Sequence, residues 1–228
     1  MNEKRMVGEK AAEFVKDGMV VGIGTGSTIF YTIAKLGEFV QQGLSIKGVA
    51  TSIQTERLAR QHGIPIVTFS EIDGIDLALD GADEVNDHFD LIKGGGGALL
   101  REKIIAHAAN TFIVVADSSK KVKTLGAFGL PVEVVPFGFE MTAKHIHALG
   151  GNPRLRREKG IPYNTDNGNY ILDCDFKEIS DPEKLEQSLN MIPGVVENGL
   201  FVRMADKVIT LNENKEIILK ERKSENGM

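Results

Sequence analysis

The chain has 228 residues, 42% of them apolar and 26% charged, which is material for one large domain or a medium domain with a small companion. Its formal net charge is −5 and its 27 Lys and Arg form no basic stripe, which argues against a nucleic-acid partner. Cys174 is the only cysteine, which excludes an internal disulfide. With a charged start (MNEKRMVGEK) and no apolar run near the roughly 18 residues of a membrane span, it predicts a cytoplasmic protein without a membrane partner.

In chain order, residues 3–17 place Met6, Val7, Ala11, Phe14 and Val15 at helical spacing, with Gly18 as a stop. Met19–Ile23 reads as a buried strand running into Gly24-Thr25-Gly26-Ser27-Thr28. A helix with Ile29, Ile33, Leu36 and Val40 follows, for which Ser27 or Thr28 is the expected cap. Ile46–Ala50 is a strand and Ser52 caps a helix ending at Gly63. Strands are expected at Ile66–Phe69, Ile75–Leu79 and Phe89–Ile92. After Lys93 and four glycines, a helix carries Leu100, Ile104, Ile105 and Ala108, and Phe112–Ala116 is the next strand. Short apolar strands alternating with helices predict an α/β fold: a Rossmann-like, mostly parallel sheet with helices on both faces.

From Pro131 the rhythm changes. Val132–Val135, Phe139–Leu149, Arg154–Arg156, Tyr170–Asp173, Pro182–Met191 and Val195–Glu197 read as β-α-β-β-α-β, the ferredoxin-like unit. The expected division is therefore a larger domain, 1–130 with 200–228, and a small α/β domain, 131–199. Phe201–Leu211 and Ile217–Leu219 are expected strands.

In an open parallel sheet, ligands bind at the carboxyl ends of the strands. Four polar knots are expected there: Gly24–Thr28, Asp80–Glu84, Lys93–Gly97 and Asp117–Lys120. Gly22-x-Gly24-x-Gly26 is not a dinucleotide fingerprint, because the third glycine falls one residue early and no acid stands where the ribose would be read. That turn is either a tight strand-to-helix connection or a cradle for a phosphate. Asp80 and Asp83 flank Gly81-Ala82 as turn acids or as a proton-handling pair. Glu102, between Arg101 and Lys103, is by itself a surface residue; the alternative is a general base near an anion-binding helix start, with Lys93 stabilising developing negative charge. The five histidines are scattered, and no metal-ligand spacing is found.

GIGTGST (22–28), LDGADEVN (79–86), IKGGGGALLREKI (92–104), VADSSK (115–120), LPVEVVPF (130–137), TDNGNYILD (165–173) and IPGVVENGLF (192–201) together resemble ribose-5-phosphate isomerase of the A type, over nearly the whole chain. The resemblance implies interconversion of D-ribose 5-phosphate and D-ribulose 5-phosphate in the non-oxidative pentose phosphate pathway. It implies no metal or cofactor, and a homodimer or homotetramer. It places substrate-binding segments on Thr25-Gly26-Ser27-Thr28, Asp80-Gly81-Ala82-Asp83 and Lys93-Gly94-Gly95-Gly96, with further lysines at Lys120 and Lys4. It places the proton acceptor on Glu102. Gly97, where a relative carries Ala, is a small departure. The competing readings are a sugar-phosphate-binding regulator, a nucleotide-dependent oxidoreductase and an acyl or coenzyme A transferase.

Overall fold

The computed structural model describes residues 2–222. α1 (Glu3–Ala12) leads into β1 (Val20–Ile23), α2 (Ile29–Gln41), β2 (Lys47–Ala50) and α3 (Ile53–Gln61). β3 (Leu77–Gly81), β4 (Glu84–Val85) and β5 (Leu91–Ile92) precede α4 (Leu99–Ala108) and β6 (Phe112–Val115). A second run follows: β7 (Leu130–Val134), α5 (Phe139–Ala148), β8 (Asn152–Leu155), β9 (Arg157–Glu158), β10 (Ile161–Pro162), β11 (Tyr170–Asp175), α6 (Pro182–Asn190) and β12 (Val195–Asn198). β13 (Leu200–Phe201), β14 (Lys207–Leu211) and β15 (Ile217–Glu221) complete the order.

The main sheet runs β15-β14-β6-β3-β1-β2, parallel throughout except for β14 with β15. Strand side chains alternate between its faces. Val21, Ile23, Leu77, Leu79, Ile113 and Val115 pack on one face with Val7 and Ala11 of α1 and Ile29 and Ile33 of α2. Ala78, Phe112, Val114 and Val208 pack on the other with Ile105 and Ala106 of α4. Each such buried aliphatic side chain stabilises the fold by about 1.5–3 kcal/mol. α4 sits close because Gly22 lacks a side chain: a Cβ there would lie 2.4 Å from Ile105 Cγ2.

The second sheet, β12-β7-β11-β8, is wholly antiparallel and carries α5 and α6, the ferredoxin-like order. Val132, Val134, Ile146, Leu172 and Leu189 fill its core. A third, three-stranded sheet, β13-β5-β4, links the two sheets: Leu91 packs with the α4 face of the main sheet and Ile92 with the core of the second sheet. Among the described residues no helix is long and apolar enough to cross a membrane.

Several elements differ from expectation. The first helix ends at Ala12, and Phe14 and Val15 close tighter turns onto Ala11 and Ala12. Ile66–Phe69 forms only a one-residue bridge to Gly48 before a 3₁₀ turn that Thr68 and Glu71 box in. β5 is antiparallel and lies outside the main sheet, so the Lys93 knot does not follow a parallel strand. Phe201–Leu211 splits into β13 and β14 in different sheets, with Arg203 at a left-handed φ of 55° between them. The Arg157–Pro162 hairpin was not expected.

Candidate active site

A small cleft of about 100 Å³ opens beside the carboxyl ends of β1 and β3. Thr25–Ile29, Gly81–Asp83, Lys93–Gly96, Glu102, Lys4 and Lys120 line it. Every candidate residue from the sequence is therefore at this place except Asp80, which lies beneath Lys93.

One end is cationic. β1 turns sharply at Gly24, where a Cβ would stand 2.0 Å from Asp80 Oδ1, and Gly26 takes a φ of +125°. The Thr25 N–H donates to Asp80 Oδ1 (3.1 Å), while Thr25 Oγ1 lies within hydrogen-bond reach of Thr51 Oγ1 (2.7 Å), Ser52 Oγ (2.9 Å) and Thr55 Oγ1 (2.9 Å). That hydroxyl is thus committed to the start of α3. α2 begins after Thr28 with no side-chain cap, contrary to expectation; the Phe30 and Tyr31 amides donate to Gly26 O and Thr28 O, while the amides of residues 26–29 meet no acceptor among the described residues and are left for an anion. Lys4 Nζ donates to Ser27 Oγ at 2.9 Å. Glu3 accepts from Ser118 N (3.1 Å) and Oγ (2.6 Å), tying α1 to the 3₁₀ turn Ser118–Lys120 and setting Lys4 and Lys120 on one cleft. Hydrogen bonds from Lys215 and then Ser118 hold the Glu3 carboxyl down at about 2.

The other end is a buried triad. Lys93 Nζ lies 2.9 Å from Asp80 Oδ2 and 3.1 Å from Glu102 Oε1, and donates to Gly81 O at 2.6 Å. The ammonium thus donates to Gly81 O and Glu102 Oε1 and is ion-paired with Asp80. With both carboxylates ionised the triad carries one net negative charge away from water, a costly state. Burial first, and then the charge of Asp80, push the Glu102 carboxyl up to about 8 against the opposing pull of Lys93. Burial alone would lower the Lys93 ammonium, but Asp80 and Glu102 outweigh it and raise it above its ordinary value. Glu102 Oε2 is buried and accepts no hydrogen bond among the described residues.

Glu102 is inside because the buried stripe of α4 is Leu99, Glu102, Ile105 and Ala106, not the expected one: Ile104 is 48% exposed. Its basic neighbours are taken by distant partners. Arg101 Nε donates to Asn167 Oδ1 (2.8 Å), and Lys103 pairs with Glu186 (3.2 Å) and Glu197 (2.7 Å).

In the glycine run, Gly94 and Gly97 have φ of 99° and 80°. The Gly95 N–H donates to Asp83 Oδ2 at 2.7 Å and the Gly97 N–H to Gly94 O at 2.9 Å. The Gly95 amide is therefore already engaged, whereas the Gly96 amide meets no acceptor among the described residues. Behind the run stands Arg156, which sequence reasoning missed; nothing local in the sequence marks it. The hydroxyls of Thr51 and Thr55 were also missed, although their place at the carboxyl end of β2 was a usable signal; Ser52 caps α3 as expected, accepting from the Thr55 N–H. Glu133 is buried on β7, where its Oε1 accepts from Thr165 Oγ1 (2.9 Å), Asn167 Nδ2 (3.1 Å) and Asn169 Nδ2 (2.9 Å). Among the described residues no group of three or more His, Cys, Asp or Glu is arranged to hold a metal ion.

An α/β sheet with a cationic pocket at one end and a buried, proton-retaining carboxylate at the other defines an enzyme that moves protons on a small anionic molecule. The sequence profile described as "Ribose 5-phosphate isomerase A (phosphoriboisomerase A)" matches residues 47–215. Ribose-5-phosphate isomerase A of Bacillus mycoides (strain KBAB4) is 52% identical over 94% of this chain and 97% of its own length. Ribose-5-phosphate isomerase A 1 of Oceanobacillus iheyensis is 52% identical over 96% and 100%. Among solved structures, ribose 5-phosphate isomerase A from Methanocaldococcus jannaschii superposes with a TM-score of 0.90 at 42% identity, covering 96% of this chain and 97% of that one. A D-ribose-5-phosphate isomerase in complex with phospho-erythronic acid superposes with a TM-score of 0.93 at 43% identity, covering 97% and 100%. The chain belongs to the ribose 5-phosphate isomerase A family.

Proposed function

We propose that this cleft interconverts D-ribose 5-phosphate and D-ribulose 5-phosphate, the aldose–ketose step of the non-oxidative pentose phosphate pathway, through a cis-enediolate and without metal or cofactor. The observation that carries the reading is Glu102: a buried carboxyl pushed up to about 8, with Oε2 uncommitted, in the cleft of a chain from this family. The phosphate sits at the cationic end, against the amides of residues 26–29, the Ser27 hydroxyl, Lys4 and Lys120. The sugar ring opens as a proton passes from the O1 hydroxyl to the ring oxygen. Asp83, which lines the cleft, suits that transfer better than Asp80, whose oxygens are held by Thr25, Gly81 and Lys93. Glu102 then takes the proton from carbon 2 as electrons move onto O1; the O2 hydroxyl proton passes to O1, and Glu102 returns its proton to carbon 1 as the carbonyl forms at carbon 2. The charge on the enediolate oxygens faces Lys93 and the Gly96 N–H. The Glu102 contact is the longest of the three that Lys93 makes, so it is the one to yield. The solved relative named with phospho-erythronic acid pairs an acid group with a phosphate, the two charges this cleft would face.

The direct test is Glu102→Gln, assayed from ribose 5-phosphate to ribulose 5-phosphate with EDTA present. A general base of this kind contributes about 10²–10⁴-fold, so a folded variant losing less than about 10-fold removes Glu102 from the role. Activity abolished by EDTA in the wild type contradicts the metal-free reading.

Three coarser features follow the same reading. A division into a larger domain and a small one at 131–199 is supported by the separate core of the second sheet. A cytoplasmic location is supported by the buried free thiol of Cys174. Assembly as a homodimer or homotetramer is supported by the exposed apolar side chains of Phe137, Met141 and Met191, and light scattering in solution decides it.

A further inference from the structure

No residue from Leu130 to Asn198 lines the cleft, yet Arg156, between β8 and β9, reaches the glycine run from behind. Arg156 Nη1 donates to both Gly94 O and Gly95 O at 3.1 Å. The same guanidinium is anchored on Asp173 of β11, Nε to Oδ2 at 2.9 Å and Nη2 to Oδ1 at 2.5 Å. It lies 5.8 Å from the ring centroid of Tyr163. Tyr163 packs where a Cβ on Gly97 would be, 2.3 Å from its Oη. The loop is thus braced by residues 156–173 at Gly94, Gly95 and Gly97.

Peptide planarity gives this brace a consequence at the cleft. In a trans peptide the N–H points opposite to the C=O of the same unit. Drawing Gly94 O and Gly95 O toward one guanidinium turns the N–H groups of Gly95 and Gly96 the other way. Gly95 N–H meets Asp83, a cleft residue, as this requires. A cation on the carbonyl side also polarises each peptide unit and strengthens its N–H as a donor.

We propose that Arg156, anchored by Asp173, is a positioning residue for the isomerisation: it aims and polarises two consecutive peptide groups, so that the Gly96 N–H faces the enediolate oxygen and the Gly95 N–H holds Asp83. The proposal rests on the reading of the cleft given above. It also gives the second sheet a part in the chemistry.

The test compares Arg156→Ala, Arg156→Lys and Asp173→Asn with the wild type in steady-state kinetics on ribose 5-phosphate, and in binding of phospho-erythronic acid and of inorganic phosphate. A misplaced oxyanion donor lowers the chemical step by about 10–10²-fold, so Arg156→Ala is expected to lose that much kcat with KM within about threefold. Phospho-erythronic acid should bind at least about 10-fold more weakly while inorganic phosphate stays within about twofold. Lysine cannot span two carbonyls and a carboxylate together, so Arg156→Lys should recover less than about half of the loss on a logarithmic scale. Asp173→Asn keeps the guanidinium but loosens it and should show a smaller, kcat-only loss of about 3–10-fold; it also serves if Arg156→Ala does not fold. Wild-type kcat in Arg156→Ala or in Asp173→Asn, or equal weakening of both ligands, overturns the proposal. An inactive Glu102→Gln beside a fully active Arg156→Ala overturns only the role of Arg156, whereas an active Glu102→Gln overturns the reading of the cleft itself.

Discussion

Replacing Asp80 with Asn isolates what the buried triad does to its base. Asp80 and Glu102 both touch Lys93 Nζ, at 2.9 and 3.1 Å, so their oxygens are at most about 6 Å apart. At an effective dielectric constant of about 20, one charge acting on another at that distance is worth about 3 kcal/mol, or roughly two pKa units. In the wild type the Glu102 carboxyl stands at about 8, raised first by burial and then by Asp80. Only ionised Glu102 abstracts a proton, so kcat/KM should rise with pH through an acid limb near 8 in the free enzyme. Removing the Asp80 charge lowers the Glu102 value, so the limb should move to lower pH by about two units. The substrate phosphate titrates near pH 6 in every variant, so the displacement between profiles carries the information. The assay is the pH dependence of kcat/KM from pH 5.5 to 9.5 for both proteins. A wild-type limb below about pH 6, or coincident limbs in the two proteins, refutes the electrostatic account of Glu102.

Two further substitutions probe the same frame. Lys93→Met leaves Asp80 and Glu102 buried without their shared cation; unfolding in urea at pH 9 should show a loss of about 3–5 kcal/mol, and a smaller loss at pH 6, where Glu102 holds a proton. Glu133→Ala removes the acceptor of three hydrogen bonds that fold the 165–169 turn onto β7, and should cost about 2–4 kcal/mol in urea unfolding.

The alternation of apolar runs and capped helices was enough to read the main sheet and the ferredoxin-like unit, because strands such as Phe112–Val115 are buried on both faces and carry no competing pattern. It failed where strands are two residues long. Leu91–Ile92 is apolar in either a parallel or an antiparallel setting, and only its partners Glu84–Val85 and Leu200–Phe201 decide which. The break between β13 and β14 rests on Arg203 and on Asp206, whose Oδ2 accepts the Phe112 N–H at 2.8 Å, a contact between residues far apart in sequence. The site shows the same division. The carboxyl-end knots were visible, but Glu102 between Arg101 and Lys103 has the look of a solvated face. Partners about 65–95 residues away draw both bases aside, and the stripe at 99, 102, 105 and 106 turns the carboxyl inward. Arg156 acts only through backbone carbonyls, and no sequence pattern marks a side chain that binds peptide oxygen.

A base held at about 8 is mostly protonated at neutral pH, which at first sight opposes catalysis. Only the ionised minority of the free enzyme abstracts a proton at pH 7, which lowers the rate. Against that stands basicity. A raised carboxyl is a stronger base once ionised, which narrows the gap to a weakly acidic C–H and offsets the smaller ionised population. The proton transfer also leaves the buried charge unchanged: Glu102 becomes neutral as the enediolate acquires its negative charge, both beside Lys93. The triad therefore does not have to import or expel charge at the moment of reaction, and Asp80, which does not line the cleft, adds to burial in raising the basicity of the group that does.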